Sequence, residues 1–180
     1  MTRAPHPGGE RRPSRSLAYD RAMAGGDELR KLMRRFPSGI SVVTVDAEPQ
    51  PLGLTLGSLV ALSLEPPLVG ISIGLQSALH EPLRQAGAFA ISLLAADQEA
   101  IAQHFARSGV PLVALWRGIE TRPSGVGAPL LAGALGWLEC RTWARYAAGD
   151  HTLFLGEVLA VEEGEPGLPL LYLQREYRSP

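Results

Sequence analysis

The chain has 180 residues, of which 46% are apolar and 19% charged, and its formal net charge is −1 at pH 7. A chain of this length forms one domain, or one domain with a tail, and buries a hydrophobic core without covalent support. The charge argues against a general nucleic-acid-binding protein, the absence of any apolar run of about eighteen residues argues against a membrane span, and the single cysteine excludes an intramolecular disulfide.

Residues 1–26 differ in composition from the rest of the chain. They contain five arginines, three prolines and four glycines but few large apolar side chains, so they cannot offset the entropy of ordering. We predict a flexible tail over 1–26 and one folded domain over 27–180. Arg11 and Arg12 form a twin-arginine pair, but no apolar region follows, so we expect no export signal and a cytoplasmic protein.

The folded part alternates short β-branched runs with turn residues. In chain order, we predict a helix from Asp27 to Pro37, a strand over 39–46, one or two strands over 52–64 with a kink near Gly57, and a strand over 68–74. There follow a helix over 77–85, a strand over 89–94, a helix over 98–106 capped by Asp97, and strands over 135–146, 151–162 and 168–173.

This count gives seven or eight strands and two or three short helices. The strands follow one another through short turns, which predicts a mainly antiparallel sheet, and closure into a barrel would remove exposed strand edges. Regular alternation of strands with helices is missing, which argues against a doubly wound fold.

Several motifs with known chemistry are absent. The chain has neither a glycine-rich dinucleotide loop nor a nucleoside-triphosphate loop. Lys31 is the only lysine, and the four histidines lack the spacing of metal ligands, so we predict neither a Schiff base nor a metal site. Cys140 alternates with outward-facing residues of a strand, which is typical of a small core residue.

Six segments carry a resemblance to a known family: FPSGISVVTV (36–45), GLTLGSLVALSLEPPLVGISI (53–73), FAISLLAADQEAIAQHFA (89–106), LGWLEC (135–140), GDHTLFLGEV (149–158) and PLLYLQREY (169–177). In this order they resemble the flavin reductase-like, FMN-binding split-barrel proteins. This family includes the small NAD(P)H:flavin oxidoreductase components of two-component monooxygenases. The resemblance covers about 29–178, and SLEPPLV and AGDHTLFLG are its most specific pieces.

The resemblance implies a fold and an activity. The fold is an antiparallel, Greek-key-like split β-barrel with extra helices, and the protein is a homodimer with flavin near the subunit interface. The activity is direct hydride transfer from NADH or NADPH to non-covalently bound FMN or FAD. Reduced flavin then diffuses to an oxygenase component. No residue pattern chooses between the two flavins or between the two nicotinamide nucleotides.

The resemblance also implies site residues. Thr55, Leu56, Gly57, Ser58 and Leu59 would line the isoalloxazine together with Ser38 and Gly39, and Ser63, Leu64 and Pro67 would form the next wall. Ser77 would hold the phosphate, and Phe105 and Ala106 would meet the flavin tail. His151, Tyr177 and Arg178 would lie on the nicotinamide side, with His151 as the candidate catalytic residue. We expect His151 to orient the nicotinamide, because hydride transfer requires no proton from it.

Four positions depart from the family pattern. Gly57, Leu79 and Ser92 replace more polar residues, and Glu176 places a negative charge near the expected dinucleotide phosphates. Each lost hydrogen bond costs about 0.5–1.5 kcal/mol, so we expect weak, exchangeable flavin binding. Arg107 could reach a phosphate, although an arginine at a helix C-terminus is also favoured by the helix dipole.

Two alternative functions remain open from the sequence. One is a split-barrel protein that binds flavin without turnover, and the other is an oxidoreductase that retains FMN and acts on its own substrate. From the residues alone, His151 is also compatible with a turn histidine that hydrogen-bonds a carbonyl group.

Overall fold

The computed structural model describes residues 24–180. Its helices are α1 (Gly26–Met33), α2 (His80–Ala86), α3 (Glu99–Ala106) and α4 (Leu112–Leu115), with a 3₁₀ turn at Ala96–Gln98. Its strands are β1 (Ser38–Gly39), β2 (Ser41–Val45), β3 (Leu52–Leu56), β4 (Val60–Leu64), β5 (Pro67–Gly74), β6 (Ala88–Leu93), β7 (Thr121–Arg122), β8 (Leu130–Leu131), β9 (Gly136–Ala148), β10 (His151–Glu163), β11 (Leu171–Leu173) and β12 (Glu176–Arg178).

Seven strands form one antiparallel sheet in the order β3-β2-β6-β9-β10-β5-β4. Strands β5 and β6 are consecutive in the chain but are separated by β9 and β10, as in a Greek-key connection. In a flat sheet the two edge strands would lie about 29 Å apart, six spacings of about 4.8 Å. Only Gly57–Leu59 connect β3 to β4. Four chain steps span at most about 14 Å, so the sheet curls until its edges approach each other.

The inner face of this curled sheet forms the main hydrophobic core. Alternate residues of β2, β5, β6, β9 and β10 point inward, and the fully buried side chains include Val43, Ile71, Phe89, Cys140 and Phe154. A second cluster joins β2 to α3 and to the C-terminal strands through Val42, Ala102, Phe105 and Leu170. The predicted fold class, mainly β and antiparallel with short helices, is confirmed.

A three-stranded sheet of β1, β11 and β12 lies outside the main sheet. The sequence analysis ended the chain with a single strand over 168–173, whereas β11 and β12 form a hairpin. Its turn residues Gln174 and Arg175 both have positive φ, 55° and 71°. Two-residue turns of this type favour Asn and Gly, so the sequence gives no signal for this turn.

All three predicted helices begin at a different residue in the structure, and α2, predicted from Ser77, begins at His80. Helix α1 begins at Gly26, one residue before the expected start, and the Gly25 N–H donates to Glu28 Oε2 over 3.0 Å. Asp97 does not cap the third helix, because it lies inside the 3₁₀ turn that precedes α3. Gln98 Oε1 accepts from the Ala95 N–H over 3.1 Å within that turn, and no side chain caps α3. Most of the predicted tail, residues 1–23, lies outside the described residues.

Within residues 24–180, no helix is long and apolar enough to cross a membrane. The same residues contain no group of three or more His, Cys, Asp or Glu side chains arranged to hold a metal ion.

Candidate functional site

The segment between β3 and β4 closes the curled sheet. The Ser58 hydroxyl accepts from the Ser72 N–H over 3.1 Å and donates to the Ser72 carbonyl over 3.2 Å, which ties this segment to β5. At Gly57, a Cβ atom would lie 2.5 Å from Ser38 Oγ. The absence of a side chain at position 57 therefore lets the Ser38 hydroxyl approach the backbone, and this hydroxyl has no hydrogen-bond partner within residues 24–180.

A cavity of about 540 Å³ lies between β3, the loop before α2 and the segment after α3. We call it the flavin cavity, after the predicted flavin-binding residues that line it. Three of the predicted flavin-binding residues, Ser77, Phe105 and Ala106, line it, and Arg107 lies on the same wall. The Phe105 ring packs directly on Gly53, where a Cβ atom would lie 2.7 Å from Phe105 Cε1. Gly53 is therefore required for the ring to form the apolar floor of this cavity.

The flavin cavity fits a flat ligand with an anionic tail. Its volume falls within the range of small-molecule sites, and its wall combines apolar side chains with a few polar groups. Ser77 Oγ accepts from the Leu79 N–H over 3.3 Å, which leaves the hydroxyl hydrogen available for a phosphate. The exposed guanidinium of Arg107 supplies a positive charge. The side chain of Leu79 is buried in the core and does not face the cavity as a polar group.

A second cavity of about 220 Å³ lies between α1 and the β11–β12 turn. We call it the arginine cavity, because Arg30, Arg34 and Arg175 line it. Ser38 also lines the arginine cavity. Because Ser38 lies next to Gly57, this cavity lies close to the segment that connects β3 to β4.

His151 lies at the start of β10, next to the two-residue turn that joins β9 to β10. Its Nδ1–H donates to Asp150 Oδ1 over 2.7 Å, and its ring lies over Gly74, where a Cβ atom would be 3.6 Å from Nε2. The hydrogen bond from His151, with the charges of His151 and Arg30, lowers the pKa of the Asp150 carboxyl. The ring is therefore oriented through Nδ1, while Nε2 forms no hydrogen bond within residues 24–180.

The two C-terminal candidates lie on β12. Tyr177 packs against Tyr172 with a ring distance of 5.1 Å, and burial raises the pKa of Tyr177. Arg178 Nη2 forms an ion pair with Glu176 Oε2 over 2.6 Å. The negative charge of Glu176, which the sequence analysis placed near dinucleotide phosphates, is thus balanced by its neighbour on the same strand.

The remaining predicted residues are spread around the closure of the sheet. The Thr55 hydroxyl donates to the Ala102 carbonyl over 2.7 Å and joins β3 to α3, and Leu56 points into the core. The Ser63 hydroxyl accepts from the Glu65 N–H over 3.2 Å. Leu64 is 90% exposed and Pro67 is also exposed. Gly39 and Leu59 line a separate cavity of about 210 Å³.

The sequence analysis missed the arginines of α1 and of the C-terminal turn. Arg30 and Arg34 are four residues apart and therefore share a helix face, which is a signal that the sequence contained. Their convergence with Arg175 depends on the β11–β12 hairpin, which the sequence did not indicate.

Comparison with known proteins identifies the class of protein. The family model described as "Flavin reductase like domain" matches residues 33–180, and the chain belongs to this family. The chain is 39% identical over 152 residues to the reductase component of 4-hydroxyphenylacetate 3-monooxygenase from Thermus thermophilus, covering 84% of this chain and 95% of that protein. It is 42% identical over 146 residues to an NADH-dependent FAD reductase from Streptomyces globisporus, covering 73% of each.

The structure gives the same classification. The crystal structure of BorF, the flavin reductase component of a bacterial two-component tryptophan halogenase, superimposes with a TM-score of 0.80 at 34% identity. The match covers 86% of this chain and 98% of that one. The predicted family is confirmed, and the predicted enzyme class, an NAD(P)H-dependent flavin oxidoreductase, agrees with the activities of these relatives.

Proposed function

We propose that this protein uses NADH or NADPH to reduce FMN or FAD and releases the reduced flavin to an oxygenase. The observation that carries this proposal is the flavin cavity, in which Ser77, Phe105 and Ala106 converge from separate segments of the chain. A bound flavin supplies a hydride acceptor that requires no covalent bond to the protein.

The residues of this chain bind and orient the two substrates. Ser77 and Arg107 hold the phosphate through a hydroxyl and a charge-assisted hydrogen bond, and Phe105 supports the apolar part. Gly53 and Leu54, next to the predicted ring-binding segment 55–59, line the same cavity and would contact the ring. His151, held by Asp150, directs its free Nε2 toward the nicotinamide carboxamide and so limits the number of unproductive orientations.

Steady-state kinetics of the purified protein test this proposal. We expect NADH oxidation only when flavin is added, and Arg107→Gln should raise the KM for FMN while leaving the KM for riboflavin unchanged, because riboflavin lacks the phosphate. Arg117→Gln, which removes a charge outside the cavity lining, is the matched control. Flavin that stays bound after desalting would favour the FMN-retaining oxidoreductase, and binding without NADH oxidation would favour the non-catalytic flavin-binding protein.

We propose a homodimer on the basis of uncovered apolar surface. Helix α1 exposes Leu29, Leu32 and Met33 along one face, and β4 exposes Leu62 and Leu64. Apolar surface of this extent on a soluble domain marks an interaction site. Light scattering at micromolar concentration should give twice the mass of one chain, and Leu64→Lys should shift the mass toward that of one chain.

We also propose a setting for the activity. The protein would act in the cytoplasm, where its one free cysteine stays reduced, and its partner would be an oxygenase that takes up diffusible reduced flavin. Product formation by a purified oxygenase should continue when a dialysis membrane separates the two proteins. Product formation that stops under these conditions would favour direct transfer within a complex.

A further inference from the structure

The loop between β5 and α2 is fastened to the start of β10. This loop includes Ser77, which lines the flavin cavity. At its first residue, the Leu75 N–H donates to the Asp150 carbonyl over 3.0 Å. At its far end, His80 Nε2 is hydrogen-bonded to Thr152 Oγ1 over 2.8 Å. The two hydrogen bonds therefore hold both ends of the loop against the turn and the first residues of β10.

The His80 side chain lies behind His151. His80 is the first residue of α2, and its half-buried ring packs edge-on against Phe154, with ring centroids 5.7 Å apart. Thr152 and Phe154 alternate with His151 along β10, so they share one face of the strand and His151 leaves the other. A half-buried hydrogen bond is weakened little by water. His80 therefore fixes the strand from the face opposite His151.

The two elements that His80 joins carry the two substrates of the proposed reaction. Ser77 in the loop is placed to bind the flavin phosphate, and His151 is placed to orient the nicotinamide. Hydride transfer requires the reacting atoms of the two rings to lie about 3–3.5 Å apart, and a displacement of about 1 Å costs up to about a hundredfold in rate. The spacing between the loop and the strand therefore bears directly on the rate of flavin reduction.

We propose that His80 is a positioning residue for hydride transfer, which acts through Thr152 to hold the loop that carries Ser77 at a fixed distance from His151. This inference rests on the proposed function of the same site. The His80 ring does not line the flavin cavity, and no side chain caps α2. A cross-link that served only the fold would affect stability alone, whereas a positioning residue also affects the hydride-transfer step.

Stopped-flow measurement of flavin reduction by NADH tests the proposal. Thr152→Val keeps the β-branched shape and removes the hydroxyl. We expect it to slow flavin reduction about tenfold, with the KM values for FMN and NADH within about threefold, because each substrate keeps its own binding groups. The primary isotope effect on kcat with C4-deuterated NADH should rise. His80→Gln, whose side-chain amide can still reach Thr152 Oγ1, should keep the rate of reduction within about twofold.

Two further variants serve as controls. His80→Leu removes the same hydrogen bond from the other side and retains apolar bulk against Phe154, so the double variant with Thr152→Val should be no slower than either single variant. If His80→Leu fails to fold, Thr152→Val carries the same test. Arg84→Gln breaks the ion pair of Arg84 with Glu81, which lies within α2, and should leave the rate of reduction unchanged.

Amide hydrogen exchange of the flavin-free protein gives a readout apart from activity. The Leu75 N–H should exchange about two- to tenfold faster in Thr152→Val, the range expected for one lost hydrogen bond. Amides of β2, which is paired on both sides, should exchange at an unchanged rate. Unchanged exchange at Leu75 would show that the hydrogen bond does not hold the loop and would overturn the inference.

The outcomes separate this inference from the proposed function. If the unmodified protein reduces flavin with NADH and Thr152→Val reduces it equally fast, His80 does not position the reaction, while the reductase activity stands. An equal loss of rate in His80→Gln or in Arg84→Gln would assign the effect to the ring or to α2 as a whole and would also overturn the inference. If the unmodified protein reduces neither flavin, the proposed function fails and the positioning role fails with it.

Discussion

Ser38 fills the space that a side chain at position 57 would require. A Cβ atom at Gly57 would lie 2.5 Å from Ser38 Oγ, closer than non-bonded atoms approach each other, and 3.1 Å from Ser38 Cβ, which is a tight contact. The sequence analysis interpreted Gly57 as the loss of a polar contact to flavin. The structure places the Ser38 hydroxyl, from β1, beside this position.

The pair of Ser38 and Gly57 predicts a non-additive effect of mutation. We expect Gly57→Ala to displace the Ser38 side chain from its rotamer and to raise the KM for flavin about two- to tenfold. The double variant Ser38→Gly with Gly57→Ala removes the clash and should bind flavin better than Gly57→Ala alone. Flavin titration of all four proteins measures the coupling, and purely additive changes would show that the contact has no role in binding.

A second prediction concerns His151. His151→Ala should raise the KM for NADH more than it changes flavin affinity, because the ring orients the nicotinamide through Nε2. Asp150→Asn should have a weaker effect in the same direction, since it retains the histidine but weakens the hydrogen bond that orients its ring. Calorimetric titration that shows lost flavin binding with unchanged NADH kinetics would contradict this role.

A third prediction concerns the N-terminal segment. Removal of residues 1–23 should leave steady-state activity within about twofold of the full chain, because the cap of α1 at Gly25 stays intact. Extending the deletion through Gly26 removes that cap and should lower the melting temperature. A large loss of activity in the shorter deletion would assign a function to the segment.

The buried cysteine gives a prediction about reactivity and pH. Burial, reinforced by the negative charge of Glu139, raises the pKa of the Cys140 thiol to about 12. We expect no reaction with a thiol reagent at pH 8 until the protein is unfolded in denaturant. Because ionisation then favours the unfolded chain, Cys140 should lower the free energy of unfolding as the pH rises from about 9 toward 12. Stoichiometric labelling of the native protein would contradict this burial.

A fifth prediction tests the core. At Gly156 in β10, a Cβ atom would lie 2.5 Å from Phe89 Cζ and 3.0 Å from Cys140 Cβ. Gly156→Ala should therefore overpack the core and reduce the free energy of unfolding by about 1–3 kcal/mol. Gly149→Ala is a useful comparison. A Cβ atom at position 149 would meet no other atom within 4 Å, but the backbone φ of 66° there is unfavourable for a residue with a side chain. Denaturant unfolding measures both, and an unchanged stability of Gly156→Ala would mean that Phe89 can move aside.

Local sequence signals determined most of the strands and their order along the chain. The β-branched run of β2, the kink at Gly57 and the two-residue turn before His151 all appear in the structure, because each depends on residues near in sequence. The family resemblance supplied the flavin, and it brought Ser77, Phe105 and Ala106 together as candidates before any geometry was known.

Tertiary structure alone decided which strands became neighbours and which polar groups met. The curled sheet brings Ser58 to Ser72, and the hairpin of β11 and β12 brings Arg175 to Arg34, although neither pair is close in sequence. The turn at Gln174 and Arg175 contradicts local preference, and its conformation is held by the hydrogen bond to the end of α1. Such contacts depend on packing between distant segments, so no local pattern encodes them.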